Sequence, residues 1–297
     1  MATVKHYARM RKCEAGEVMR VNIYPVRPVA KGRNPKRNPS RACQAALNKR
    51  NSINRFKDIV HLNFPKEKGG YRVSLDYNFF IDEFGRNPNE EEFKIYFAAY
   101  IRKMRNLYRA HGGELFWAAP DSHVGKKKGK VHHHLFISYP PVSVSQEELN
   151  ACWVFGYSNY SPLVYRNGSI AGLASYFLKG AQSGKWSCSR NCKRPSVEAY
   201  EDGTPASVSY EDRAITMSQA HYIDKHRDDI AYIEKLFPGY GVASVKPKPE
   251  LVGVSGTEYD LLPFDGPFVE IELYKLSASD KRIKVRSKRT IRPRLKV

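Results

Sequence analysis

The sequence predicts an α+β fold in which an antiparallel sheet is flanked by helices. Three observations predict it. Tyr71–Tyr77 and Val131–Tyr139 read as strands, the first by strict alternation. Segments near 41–64, 89–111 and 169–181 instead place apolar residues three and four apart, the period of a helix with one buried face. Leu115–Ala119 and Val131–Tyr139 are joined by a short Lys-rich loop, which suits antiparallel neighbours.

In chain order, residues 1–40 are basic, rich in Pro and Asn and without period, and are expected to form an extended or loosely folded N-terminal arm. A helix is expected from Arg41 to Phe64, with Ala46, Leu47, Ile53, Phe56, Val60 and Phe64 near one face. After the strand Tyr71–Tyr77 and a loop comes the clearest helix, Asn89–His111. Asn89 can cap it, with Glu92 placed to complete a capping box, and Gly112-Gly113 ends it. Its stripe is Phe93, Tyr96, Phe97, Tyr100, Ile101, Met104, Leu107 and Tyr108. The two paired strands follow, then a short helix from Ser145, an irregular stretch, and a helix from Ser169 to Ala181 buried through Ile170, Leu173, Ala174, Phe177 and Ala181. Residues 196–280 are expected to form an extension with a helix across 212–236 and a late strand, Phe268–Tyr274. The tail, 281–297, carries nine Lys and Arg and no acid.

The chain's 297 residues bear a formal charge of +20, fifty Lys and Arg against thirty Asp and Glu, which favours a polyanionic partner. No stretch nears the roughly 20 apolar residues that span a bilayer, and the first residues lack the apolar core of a secretory signal, so nucleic acid is preferred to membrane. Five cysteines, an odd number, argue for free thiols in a reducing cytoplasm, and the Cys188/Cys192 pair has no second pair to complete a zinc knuckle. The basic ends are expected to supply affinity through phosphates without reading sequence.

Chemistry concentrates in two places. On the strand Val131–Ser138, residues two apart share a face about 7 Å apart, so His132 and His134 project together, His133 projects away, and two imidazoles can hold one divalent metal. A harder third ligand is wanted. Asp121 ends the preceding strand and is the favoured choice; Glu114 and His123 are alternatives. On the helix beginning at Ser169, Tyr176 and Lys179 are surface neighbours away from the centre of the buried stripe. Lys126, Lys127, Lys128 and Lys130, just before the His strand, and Arg190 beyond the helix are candidate DNA contacts.

His132-His133-His134 on a strand, followed by Tyr176-x-x-Lys179 on a helix, resembles the HUH endonuclease superfamily, with His133 where an aliphatic residue is more usual. The likeness runs from Arg41 to Pro195, includes Trp186-Ser-Cys-Ser-Arg190, and within the superfamily resembles the single-tyrosine rolling-circle replication initiators of phages and bacterial mobile elements. The tyrosine lies downstream of the His pair, as in initiators and one class of transposases and unlike relaxases. The resemblance implies a ferredoxin- or RRM-like sheet and Mg²⁺ or Mn²⁺ on His132, His134 and an acid. It also implies Tyr176 as nucleophile with Lys179 tuning it or positioning metal and phosphate, and a single-stranded DNA origin as substrate in a bacterial cytoplasm. Gly180–Trp186 lacks the spacing of a phosphate loop, so a separate helicase is expected. A transposase with the same chemistry and a non-catalytic basic DNA-binding protein are the alternatives; a histidine-triad hydrolase is disfavoured by Phe136, which breaks the third His.

Overall fold

A computed structural model describes residues 7–26, 41–121, 129, 131–166, 168–180, 185–194, 208–247 and 267–276. The chain divides into two compact units, Pro39–Val208 and Met1–Asn38 together with Ser209–Val297. Both are mixed α+β with antiparallel sheets carrying helices.

The central unit is built on five strands: β3 (Tyr71–Asp76), β4 (Trp117–Pro120), β5 (His132–Ile137), β6 (Ser158–Pro162) and β7 (Trp186–Cys188). Their order is β6-β3-β5-β4-β7, every neighbour antiparallel, with the His strand in the middle. Alternation sends Val73, Leu75, Leu135, Ile137 and Trp117 to one face, against helix α3 (Glu90–Ala110). It sends Phe136 and Ala118 to the other, against α1 (Arg41–Asn63) and α5 (Ala171–Gly180). The unit is thus three layers with a core on each side of the sheet.

The helices form where their caps and stripes predict. Asn89 Oδ1 accepts from the N–H groups of Glu91 and Glu92, while Glu92 reaches back to the Asn89 N–H. Phe93, Tyr100, Ile101, Met104 and Tyr108 are buried, and Gly112, at φ 72°, stops the helix in a left-handed turn. On α1, Phe56, Val60 and Phe64 are buried as expected, and Ile59, off the expected list, joins them. Residues 78–84, expected as loop, form a short helix, α2 (Asn78–Phe84). The helix expected at Ser145 is α4 (Gln146–Ala151), and part of the irregular stretch after it is β6, an edge strand too polar to show an apolar alternation.

The second unit overturns the reading of residues 1–40 as an arm over the part the structure describes. β1 (Tyr7–Ala15) and β2 (Val18–Val26) form an antiparallel hairpin, and β2 pairs along its other edge with β10 (Val269–Lys275). The sheet order is β8-β1-β2-β10-β9, with β8 (Val208–Thr216) and β9 (Tyr240–Pro247) outermost. Met19, Val21, Ile23, Val269, Ile271 and Leu273 face helices α6 (Met217–Lys225) and α7 (Ile230–Leu236), which replace the single helix expected across 212–236. The period-2 signal of Met19, Val21 and Ile23 is present but set among Arg, Asn and Tyr in a basic segment, which hid it. The late strand is β10, beginning one residue later than expected. The tail 281–297 lies outside the described residues.

Candidate functional site

The site begins with the parity of β5. His133 is buried on the α3 face, its ring stacked on Phe93 at 3.7 Å and Phe97 at 4.6 Å, with Nε2 hydrogen-bonded to the Tyr77 hydroxyl at 2.8 Å. Burial, reinforced by the neighbouring His132 and His134, holds its pKa well below the usual imidazole value, so it is a neutral core residue. His132 and His134 take the other face together, as their spacing requires. Their rings lie edge to face, 4.7 Å between centroids, with the two Nε2 atoms 3.1 Å apart.

That separation is chemically informative. Two ligand atoms at about 2.1 Å from one metal and about 90° apart stand roughly 3 Å from each other. Ser74 Oγ sits 2.9 Å from His134 Nδ1. With Nδ1–H donating to that oxygen, His134 Nε2 presents a lone pair toward His132, which an Nε2–H of His132 or a bound cation satisfies. Phe177 of α5 stacks on the His134 ring at 4.7 Å and 10°, fixing its plane.

Phe177 brings its neighbour with it. Phe177 and Leu178 are buried against the sheet, whereas Tyr176 is 58% exposed and its ring lies 6.2 Å from that of His134. α5 is seated by Ser169, whose Oγ accepts from the Ala171 N–H and lies 3.2 Å from Nε2 of His61 on α1. Lys179 falls on the same helix one turn on; its side chain is outside the described residues.

Other expected residues are placed differently. β4 pairs with β5 through Trp117↔Ile137 and Ala118↔Phe136. Continuing that register sets Asp121 opposite His133, on the α3 face rather than beside the His pair, because an odd offset reverses the face of a strand residue. Its charged neighbours there are Lys185 and Lys94 of α3, and partial burial raises its pKa. The structure therefore does not bring Asp121 to His132 and His134, and among the described residues no group of three His, Cys, Asp or Glu is assembled for a metal. His123, Lys126, Lys127, Lys128 and Lys130 lie outside the described residues. Arg190 is exposed on the turn after β7, the sheet edge two strands from β5.

Sequence reasoning missed Ser74, Phe177's stacking role and a cleft of ≈ 220 Å³ lined by Ser74, Asp76, His132, Tyr157 and Asn159, among others. Asp76 pairs with His132 across the sheet, yet its carboxylate is occupied, accepting from the N–H groups of Asn78 and Tyr157 and from Asn78 Nδ2. The alternation of β3 could have pointed to Ser74 as a polar residue on a strand; nothing in the sequence marks its partner.

Among the described residues no helix is long and apolar enough to cross a membrane. Compared with protein-family models, curated proteins and solved structures, the chain matches none.

Proposed function

We propose that this chain is a metal-dependent endonuclease that nicks and rejoins single-stranded DNA through Tyr176, in the manner of the rolling-circle replication initiators its motifs resemble. One observation carries the reading: an exposed tyrosine, next in sequence to the phenylalanine that stacks on His134, stands 6.2 Å ring to ring from His134, whose Nε2 converges with that of His132. Nineteen tyrosines occur, and Tyr160 and Tyr165, which precede α5 closely, are tied into the fold. Tyr160 is hydrogen-bonded to Tyr100 and to the Leu149 carbonyl, and Tyr165 donates to the Phe64 carbonyl.

His132 and His134 would hold Mg²⁺ or Mn²⁺, which when bound supplies Lewis-acid polarisation of the scissile phosphate. The phenolic oxygen of Tyr176 attacks phosphorus, giving up its proton; the bond from phosphorus to the 3′ oxygen breaks, and that oxygen takes a proton to become a 3′-hydroxyl. One phosphodiester is exchanged for another, with the 5′ phosphate left on Tyr176, so rejoining needs no nucleotide cofactor. Lys179 supplies a cation one helical turn away, suited to stabilising a phenolate or neutralising the phosphate. Strand separation falls to a separate helicase.

The test is the nucleophile. Wild-type protein with Mn²⁺ and labelled origin-strand DNA should give a covalent band on a denaturing gel. Tyr176→Phe removes one exposed hydroxyl, so it should keep fold and binding but give neither adduct nor nick. An adduct persisting in Tyr176→Phe places the nucleophile elsewhere.

A further inference from the structure

One wall of the cleft beside His132 is an exposed aromatic side chain, Tyr157, and a second exposed aromatic, Phe79, packs against it. Phe79, on α2, is 46% exposed, and Tyr157, just before β6, is 61% exposed; their rings meet edge on at 4.8 Å. Tyr157 lines the cleft that His132 also lines. Exposed large aromatics are ordinarily mobile, but these two are carried on segments tied together from beneath. Asp76 Oδ1 accepts from the N–H groups of both Asn78 and Tyr157, one on each segment. The Asp76 N–H donates to the Tyr157 carbonyl and the Phe80 N–H to the Phe155 carbonyl. Gly156 has no side chain where Asp76 stands, and any Cβ there would strike the Asp76 carboxylate. These hydrogen bonds thus hold two flat apolar surfaces in the open, one of them lining the cleft that His132 also lines.

We propose that Phe79 and Tyr157 form a stacking platform for a nucleobase of the strand whose backbone passes His132 and His134, an inference that rests on the single-stranded DNA reading above. A base offers what the platform lacks, an unspecific π-face, and stacking on aromatic residues is the sequence-tolerant part of single-strand binding. The occupant is nucleic acid rather than protein on two grounds. Two rings are far too little apolar surface for a protein interface, and the chain's formal charge of +20 complements a phosphate backbone. Asn159, exposed on β6 and lining the same cleft, places an amide within the cleft for a base edge. In this arrangement Asp76 is a positioning residue for the platform.

The full chain, binding fluorescein-labelled oligothymidylate or an abasic oligomer of equal length, tests it by anisotropy. Phe79→Leu and Tyr157→Leu keep apolar bulk but remove the flat ring, and melting curves check that each variant is folded. Each should weaken oligothymidylate binding about tenfold and leave abasic binding unchanged, while Phe79→Tyr and Tyr157→Phe retain wild-type affinity. Unchanged affinity, or equal loss on both oligomers, overturns the platform. Adduct formation is read separately. If no adduct forms yet the Leu variants lose base-dependent binding, the endonuclease reading fails and the platform stands. An adduct with undiminished binding in the Leu variants sinks the platform alone.

Discussion

His132, His133 and His134 are chemically identical side chains given two different roles by the parity of a strand. The outer two converge at Nε2 on the face that Tyr176 approaches. The middle one is sealed between Phe93 and Phe97 and hydrogen-bonded to Tyr77, whose own ring is 1% exposed. Removing one partner of a buried hydrogen bond leaves the other unsatisfied, at roughly 1–3 kcal/mol. His133→Leu should therefore destabilise the protein by about that amount, and His133→Leu with Tyr77→Phe by less than the sum of the single changes, a coupling that denaturant titrations of the cycle measure. Because His133 faces α3, the single variant should keep its Mn²⁺ affinity, whereas His132→Ala with His134→Ala should lose it. Tight Mn²⁺ binding by the double-alanine protein, read by calorimetry, would remove the pair from the metal site.

α3 closes the face of the sheet that carries His133, and its start is held by charge as well as by geometry. Arg86 makes a two-pronged contact with Glu92, at 2.7 and 2.8 Å, while Glu92 also accepts from the Asn89 N–H. The Arg86 hydrogen bond, then the Asn89 backbone bond, lower the Glu92 pKa to about 2. A carboxyl depressed on folding stabilises the native state above its unfolded pKa and loses that contribution as pH falls toward the folded value. Glu92→Gln can still accept from the backbone but carries no charge. Wild type should thus melt above Glu92→Gln at about pH 6, with the gap closing between roughly pH 4.5 and 2. A gap that persists unchanged to the acid end would mean that charge contributes nothing there. Beneath the cleft, Gly156→Ala forces a Cβ into Asp76, an overpacking expected to destabilise by about 1–3 kcal/mol in thermal or denaturant melts and to loosen the Phe79–Tyr157 contact.

At the scale of the molecule, the two units are built from different kinds of chain connection. The central one is continuous, Pro39–Val208, with a core on each face of one sheet. The other joins the first strands to the last, since β10 lies between β2 and β9. A fragment spanning 39–208 contains every strand and helix of its own cores, so it should fold alone, with a cooperative melt and native far-ultraviolet dichroism. It also contains His132, His134 and Tyr176, so it should form the covalent adduct, with affinity weakened by loss of the basic ends. A fragment without a cooperative transition would show that the central unit depends on the rest of the chain.

What the sequence determined by itself was local and periodic. The capped α3, the α5 stripe around Phe177, the strand carrying His132 and the projection of His132 and His134 to one side all follow from periods of 3.6 and 2 and from cap chemistry, which act within a few residues. Only tertiary structure decided what depended on register and on distant partners. The face on which Asp121 falls is set by how β4 slides against β5, and a one-residue difference reverses it. Residues 7–26 become a sheet rather than an arm because β2 finds β10 nearly 250 residues later, where the apolar faces of both are buried together. Ser74 meets His134 across 60 residues of chain, and Asp76 ties Phe79's helix to Tyr157 across 81. Such contacts are chosen by packing in three dimensions, for which no short window of sequence carries a signal.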